Sequence, residues 1–154
     1  MSDGWAKRKL QQLAEREESA KEKTSADLLE RQQVLAEAPL LWQKLKDEFS
    51  DNIATFNSAK AETFRLETKG APNSQDVFIS TQHGHIKIAY YFGVPQITIE
   101  HYSGRAATIE AGLDKKIEYS FRIYDREAWL YVGKEKRFYS VPDVVATWLD
   151  EMIR

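Results

Sequence analysis

Three histidines carry the most tempting chemistry in this chain. His83 and His85 lie two apart across Gly84, a spacing that puts both imidazoles on one side of a strand, and His101 falls on the next strand. Three such nitrogens could hold a metal with one position left open for substrate. Register argues against it. Matching Ile88 and Tyr90 with His101 and Ile99 puts His101 on the apolar face of a sheet. His83 and His85 then fall on the opposite face with Lys87, because a side chain changes face with every residue. Structural or turn histidines, no metal and no cofactor are therefore expected.

The same parity collects Tyr91 and Tyr102 with Lys87, Thr98 and Glu100, and Arg122 and Tyr124 extend the set. Aromatic rings interleaved with basic groups can stack the bases of single-stranded nucleic acid. Glu100, Glu110 and Glu118 fall in or near that face and dilute any attraction for phosphate. Cross-strand aromatic packing is the simpler reading, and Lys87, Tyr91 and Tyr102 stand as the candidate ligand face. Glu110 and Glu118 could meet across a hairpin as an acid and base pair. No apolar pocket is specified to raise either one's pKa, so solvated surface glutamates are expected. Gly104 and Gly112 read as turn glycines, since no glycine-rich segment links a strand to a helix. No nucleophile elbow accompanies the serines.

The elements that would position these groups are clearer than the groups themselves. Leu28, Leu35, Trp42, Phe49 and Phe56 recur every seven residues, and Ala38, Leu41, Leu45 and Ile53 widen the stripe to that of a packed helix. Pro39 predicts a helix break with a second helix running from Pro39 to about Lys60. The stripe crosses Pro39 without changing phase, so a kinked, nearly continuous helix is the alternative. Asn57 and Ser58 are expected to loosen its end.

Upstream, residues 3–37 favour helix, yet Glu15 to Ser25 offers Ala20 as its one apolar side chain. Thr24 with Asp27 three residues later has the form of a capping box and predicts a fresh helix start. This divides the chain into an exposed helical arm, residues 1–24, and a single α+β domain, residues 25–154. Leu10 and Leu13, then Leu28 and Leu35, form apolar islands joined by a charged shaft, a form suited to capturing a partner.

After Glu62 the apolar period falls to two. Strands are expected around Phe64–Leu66, Val77–Ile79, Ile86–Phe92, Ile97–His101, 105–111, 116–124 and 128–133, punctuated by Gly, Pro, Asn and Asp, with Arg137–Tyr139 as an optional short last one. Connections this short make an antiparallel meander of about six or seven strands. Ser140, Pro142 and Asp143 predict the start of a short C-terminal helix, with Val144, Val145, Trp148, Leu149 and Met152 as its buried face. The fold class is therefore α+β: a long N-terminal helical segment, the meander and the terminal helix.

Composition bounds the rest. At 154 residues the chain can bury a core without staples, and with no cysteine it can form neither a disulfide nor a thiolate site. A net charge of -2 exerts no global pull on nucleic acid or acidic membranes. No segment reads as a secretory signal or a bilayer span, so a cytoplasmic protein that does not use membranes is expected. The expected function is non-enzymatic: an interaction or oligomerising protein acting through its N-terminal helix, most simply as a homodimer. Two other classes stand beside it, a small-ligand protein or enzyme using a sheet cavity, and a single-stranded nucleic-acid binder.

Overall fold

A computed structural model describes residues 2–60, 63–103 and 112–153. The chain begins with α1 (Ser2–Lys60) and continues through β1 (Arg65–Ala71), β2 (Ser74–Thr81), β3 (Gly84–Tyr91), β4 (Gln96–Ser103), β5 (Leu113–Tyr124), β6 (Glu127–Val132) and β7 (Arg137–Tyr139) to α2 (Val141–Ile153). It divides into two units, residues 1–33 and residues 34–154. The fold is α+β, as the two sequence periods imply. The expected strand at 105–111, with Glu110 and the preceding turn glycine Gly104, lies outside the described residues.

Helix α1 is uninterrupted, and Pro39 stands inside it. Of the two readings open at Pro39, the break does not occur and the continuous helix is the one found. Proline removes the donor that Leu35 would have accepted, but Leu35 and Pro39 both face solvent, so water can satisfy the freed carbonyl. Nor does a new helix start at Thr24, whose hydroxyl donates to the Ala20 carbonyl at 2.8 Å from within the helix. A threonine oxygen used this way is an interior bond one turn back and not a cap. At the other end Asn57 secures the chain instead of loosening it. Its Oδ1 accepts from the backbone amides of Thr63 and Phe64, and its Nδ2 donates to the Phe64 carbonyl.

The described strands form one seven-stranded sheet in sequence order, each pairing antiparallel with its neighbours. Tight turns account for that order. Asp125 and Arg126 both take positive φ, 50° and 66°, which is the mirror-image two-residue turn whose twist matches a hairpin. Gly93 at φ 82°, with Val94 N bonded to Tyr91 O at 3.2 Å, makes a turn that needs glycine at its third position. Between β3 and β4 the register pairs Ile88 with Ile99 and Tyr90 with Ile97, two residues from the expected match. A shift of two preserves parity, so each side chain still faces the way it was assigned.

In the unit formed by residues 34–154, α2 and the α1 segment after Gln33 share one core with the sheet. Trp42, Leu45 and Phe49 are buried, together with Val34, Ala38, Leu41 and Ile53. The sheet answers with Val77, Ile79, Ile86, Ile88, Ile97 and Ile99. Phe56 is half-buried at the edge of this contact, edge-on to Phe64 at 5.3 Å. The second helix starts as its sequence implies, with Ser140 Oγ accepting from Asp143 N at 3.3 Å and Pro142 in the first turn. It buries Val144, Val145, Trp148 and Met152.

Among the described residues no buried side-chain nitrogen or oxygen lacks a hydrogen-bond partner. The indole N–H of Trp148 donates to the Tyr119 hydroxyl at 2.8 Å, and burial pushes that phenol up to about 12. On α1, Trp42 Nε1 and Lys46 Nζ both donate to Gln75 Oε1 at 2.8 Å, while the Trp42 ring stacks on Tyr90 at 5.2 Å.

Because Phe49 has no exposed surface, Phe49→Ala leaves a cavity that a packed interface cannot close. A loss of about 3–5 kcal/mol is expected in denaturant melts. A loss under about 1 kcal/mol would place the main helix-to-sheet contact elsewhere.

Candidate functional site

Two surfaces carry side chains in arrangements the fold itself does not need. The first lies in residues 4–33. Trp5, Leu10, Leu13, Leu28 and Leu29 are all exposed on helix, Leu10 at 67% and Leu28 at 51%. The seven-residue stripe therefore has two fates. Trp42 and Phe49 are core, whereas Leu28 and Leu35 face solvent. An exposed helix gains little from packing and holds together through its own propensity, which the Ala, Glu, Lys, Gln and Arg of this stretch provide.

The second surface is the sheet face opposite the core. Lys87 and Glu100 are cross-strand partners on β3 and β4, as are His85 and Tyr102. The His85 and Tyr102 rings stack at 4.9 Å, 18° from parallel. Beside them Gly84 lets the backbones of β3 and β4 approach closely, since a Cβ there would collide with the Tyr102 carbonyl oxygen. The Tyr102 hydroxyl donates to Glu100. Burial first, and then that carboxylate, push Tyr102 up to about 12. Burial also lowers His85 below its usual value, with the neighbouring His101 adding to the effect.

Tyr91 shares this face and is exposed, but it does not sit beside Tyr102. Tyr102 pairs with His85, six residues before Tyr91 on the same strand, which separates the two tyrosines by about 20 Å. They are two separate rings on one face, and Glu100 and Glu118 lie on that face with them, as the cross-strand partners of Lys87 and Thr98.

The three histidines are divided by the sheet. His83 lies in the β2–β3 turn, His85 on the outer face, and His101 on the core face beside Asp114, with Nδ1 to Oδ2 at 3.9 Å. Among the described residues no group of three or more His, Cys, Asp or Glu could hold a metal ion.

A richer aromatic patch lies further along the outer face, and the sequence reading found part of it. Arg122 and Tyr124 were placed on this face. Trp129, Tyr131 and Phe138 were not. The Arg122 guanidinium sits 4.8 Å over the Tyr131 ring, and Phe138 packs on Tyr131 at 4.8 Å and on Tyr124 at 5.1 Å. The missing signal was the length of the turn. A two-residue Asp125-Arg126 turn sets Arg122 opposite Trp129 and Ser120 opposite Tyr131; reading Glu127 as a third turn residue hides that pairing.

The surface depressions are open. One of about 690 Å³ lies between α1 and the first two strands, lined by Ser50, Ile53, Asn57, Phe64, Leu66 and Phe78. No family model, curated protein or solved structure matches this chain.

The His85 shift sets the sign of a pH effect. With its folded pKa below the ordinary 6.5, the folded chain binds fewer protons here than the unfolded chain does. Its contribution to stability is whole above pH 6.5 and is lost as the pH falls through the folded value. Proton NMR should show the His85 ring titrating with a midpoint below 6.5, and His85→Phe should reduce the loss of stability between neutral and mildly acid pH. A midpoint above the ordinary value would contradict the stacked, partly buried geometry.

Proposed function

We propose that this chain is a non-enzymatic interaction protein that associates with a second copy of itself through its N-terminal helical arm. The observation that carries this reading is the row of large apolar side chains, Trp5, Leu10, Leu13, Leu28 and Leu29, left exposed on helix within residues 4–33. Single exposed leucines need no explanation, but two islands of large apolar side chains on one helix, at residues 5–13 and at Leu28 and Leu29, offer a surface. A homodimer is the simplest occupant, because one interface then covers the same residues on both chains. The chain contains no cysteine and needs no oxidation to fold, which suits a cytoplasmic setting. Among the described residues no helix is long and apolar enough to cross a membrane.

A second reading draws on the outer sheet face, where Arg122 stacks over Tyr131 beside Tyr124 and Phe138. Cation and ring together could hold an unpaired base. Glu100 and Glu118 on the same face oppose a phosphate chain, which ranks this reading below association. The third class, a small-ligand protein or enzyme, would use the depression beside Asn57 and Phe78. Its wide mouth would bury little of a ligand's surface, which gives this class the least support.

Light scattering separates the first reading from the rest. The full chain should be dimeric at tens of micromolar, and a shortened chain beginning at Thr24, which lacks Leu10 and Leu13, should be monomeric. A monomeric full chain would end the self-association proposal. For the second reading, fluorescence anisotropy with single-stranded oligonucleotides at low salt should show binding that Tyr91→Ala with Tyr102→Ala weakens, and that Arg122→Ala weakens further. No binding, or binding indifferent to all three, removes it.

A further inference from the structure

The exposed arm carries a spacing that specifies how two copies would meet. Leu10 and Leu28 are 18 residues apart, about five turns, so they share one azimuth of α1 about 27 Å apart along its axis. Between them Ala14, Glu17, Lys21 and Thr24 complete a series stepping by four, three, four, three and four residues, all within helix. That is the spacing of a paired-helix seam, apolar at Leu10, Ala14 and Leu28 and polar at its centre, and all six positions lie in the exposed part of α1.

Two of the six are charged, and their placement distinguishes the two ways of pairing. The series is symmetric about the height of Ser19. With the helices antiparallel and Leu10 of one copy against Leu28 of the other, Ala14 meets Thr24, and Glu17 meets Lys21. The dyad repeats each contact. Its centre becomes four charges of alternating sign, since Glu17 and Lys21 also lie four apart on their own helix in the favourable order. Parallel, in-register pairing would instead set Glu17 against Glu17 and Lys21 against Lys21, like charges at the middle of the seam. It would also align Lys7, Arg8 and Lys9 with their own copies.

We infer that the arms pair antiparallel about a two-fold axis at the height of Ser19, with Leu10 seated on Leu28 of the second copy and a Glu17–Lys21 charge layer fixing the direction. This rests on the self-association reading and adds its geometry. The charged shaft then has a purpose in the pairing: a polar layer in a helical seam costs stability and selects one register. The register uses the whole arm, because residue 5 of one copy comes level with residue 33 of the other. Lys7 and Arg31, the next layer outward, are both basic, and Asp27, one turn before Arg31, lies close enough to offset them.

The full-length chain has no cysteine, so single cysteines report the direction cleanly. Under mild oxidation a mixture of Leu10→Cys and Leu28→Cys chains should give the mixed disulfide dimer, and neither alone should crosslink. Sedimentation should show Glu17→Lys weakening the dimer roughly tenfold or more, with Glu17→Lys combined with Lys21→Glu restoring it. Self-crosslinking of Leu10→Cys, or a dimer indifferent to Glu17→Lys, would overturn the antiparallel arrangement and leave self-association standing. A full chain that stays monomeric would remove both.

Discussion

Burial of one helical stripe against one sheet face is the contact on which the described architecture rests. From Val34 to Ile53, α1 puts seven side chains into the core, and Leu45 and Phe49 share that core with isoleucines of the central strands and keep almost no exposed surface. An antiparallel sheet of short strands is marginal with both faces wet, and becomes stable when one face is covered. Here the cover comes from α1 and α2, which reach the core from opposite ends of the chain. Each is tied to the sheet by an indole: Trp42 to Gln75, and Trp148 to Tyr119. A buried tryptophan brings a large apolar surface and a donor that must be satisfied, so the two bonds give the packing a defined geometry.

The element order was legible because each element obeys its own period. Five apolar residues at intervals of seven marked α1, alternation marked β2 to β6, and Ser140 with Pro142 marked the start of α2. Parity survived even where register did not. The β3–β4 match was two residues off, and an even error leaves every side chain on its proper face. Pro39 and Thr24 each carry a local signal for a helix boundary, and in each case the helix continues through it, which at Pro39 is the alternative that the unbroken phase of the stripe already implies. Proline costs a bond that solvent can replace at an exposed position, and threonine can turn its hydroxyl back to Ala20.

The candidate surfaces were less legible. That Leu28 and Leu35 are exposed while Trp42 and Phe49 are buried is something no periodicity in α1 encodes, because the same seven-residue spacing runs through all four. The separation of Tyr91 from Tyr102 likewise follows from register along the strand; parity reports the face and says nothing about distance. Trp129, Tyr131 and Phe138 were missed because one residue of turn length decides which side chains sit across from Arg122.

The sheet order, identical to the order of the strands in the chain, has a consequence for synthesis. Each hairpin joins neighbours through a short turn and can close as soon as its second strand has emerged, on the order of microseconds. The helix has no such local partner. Trp42 and Phe49 leave the ribosome before any strand of the sheet that covers them, and Ile99 follows Phe49 by 50 residues. At about 5–20 residues per second that is a wait of roughly three to ten seconds. During that interval the stripe meant for the sheet is as bare as Leu10 and Leu28 on the arm that precedes it, and the nascent chain presents the apolar side chains from Val34 to Ile53 to whatever holds it until the meander arrives.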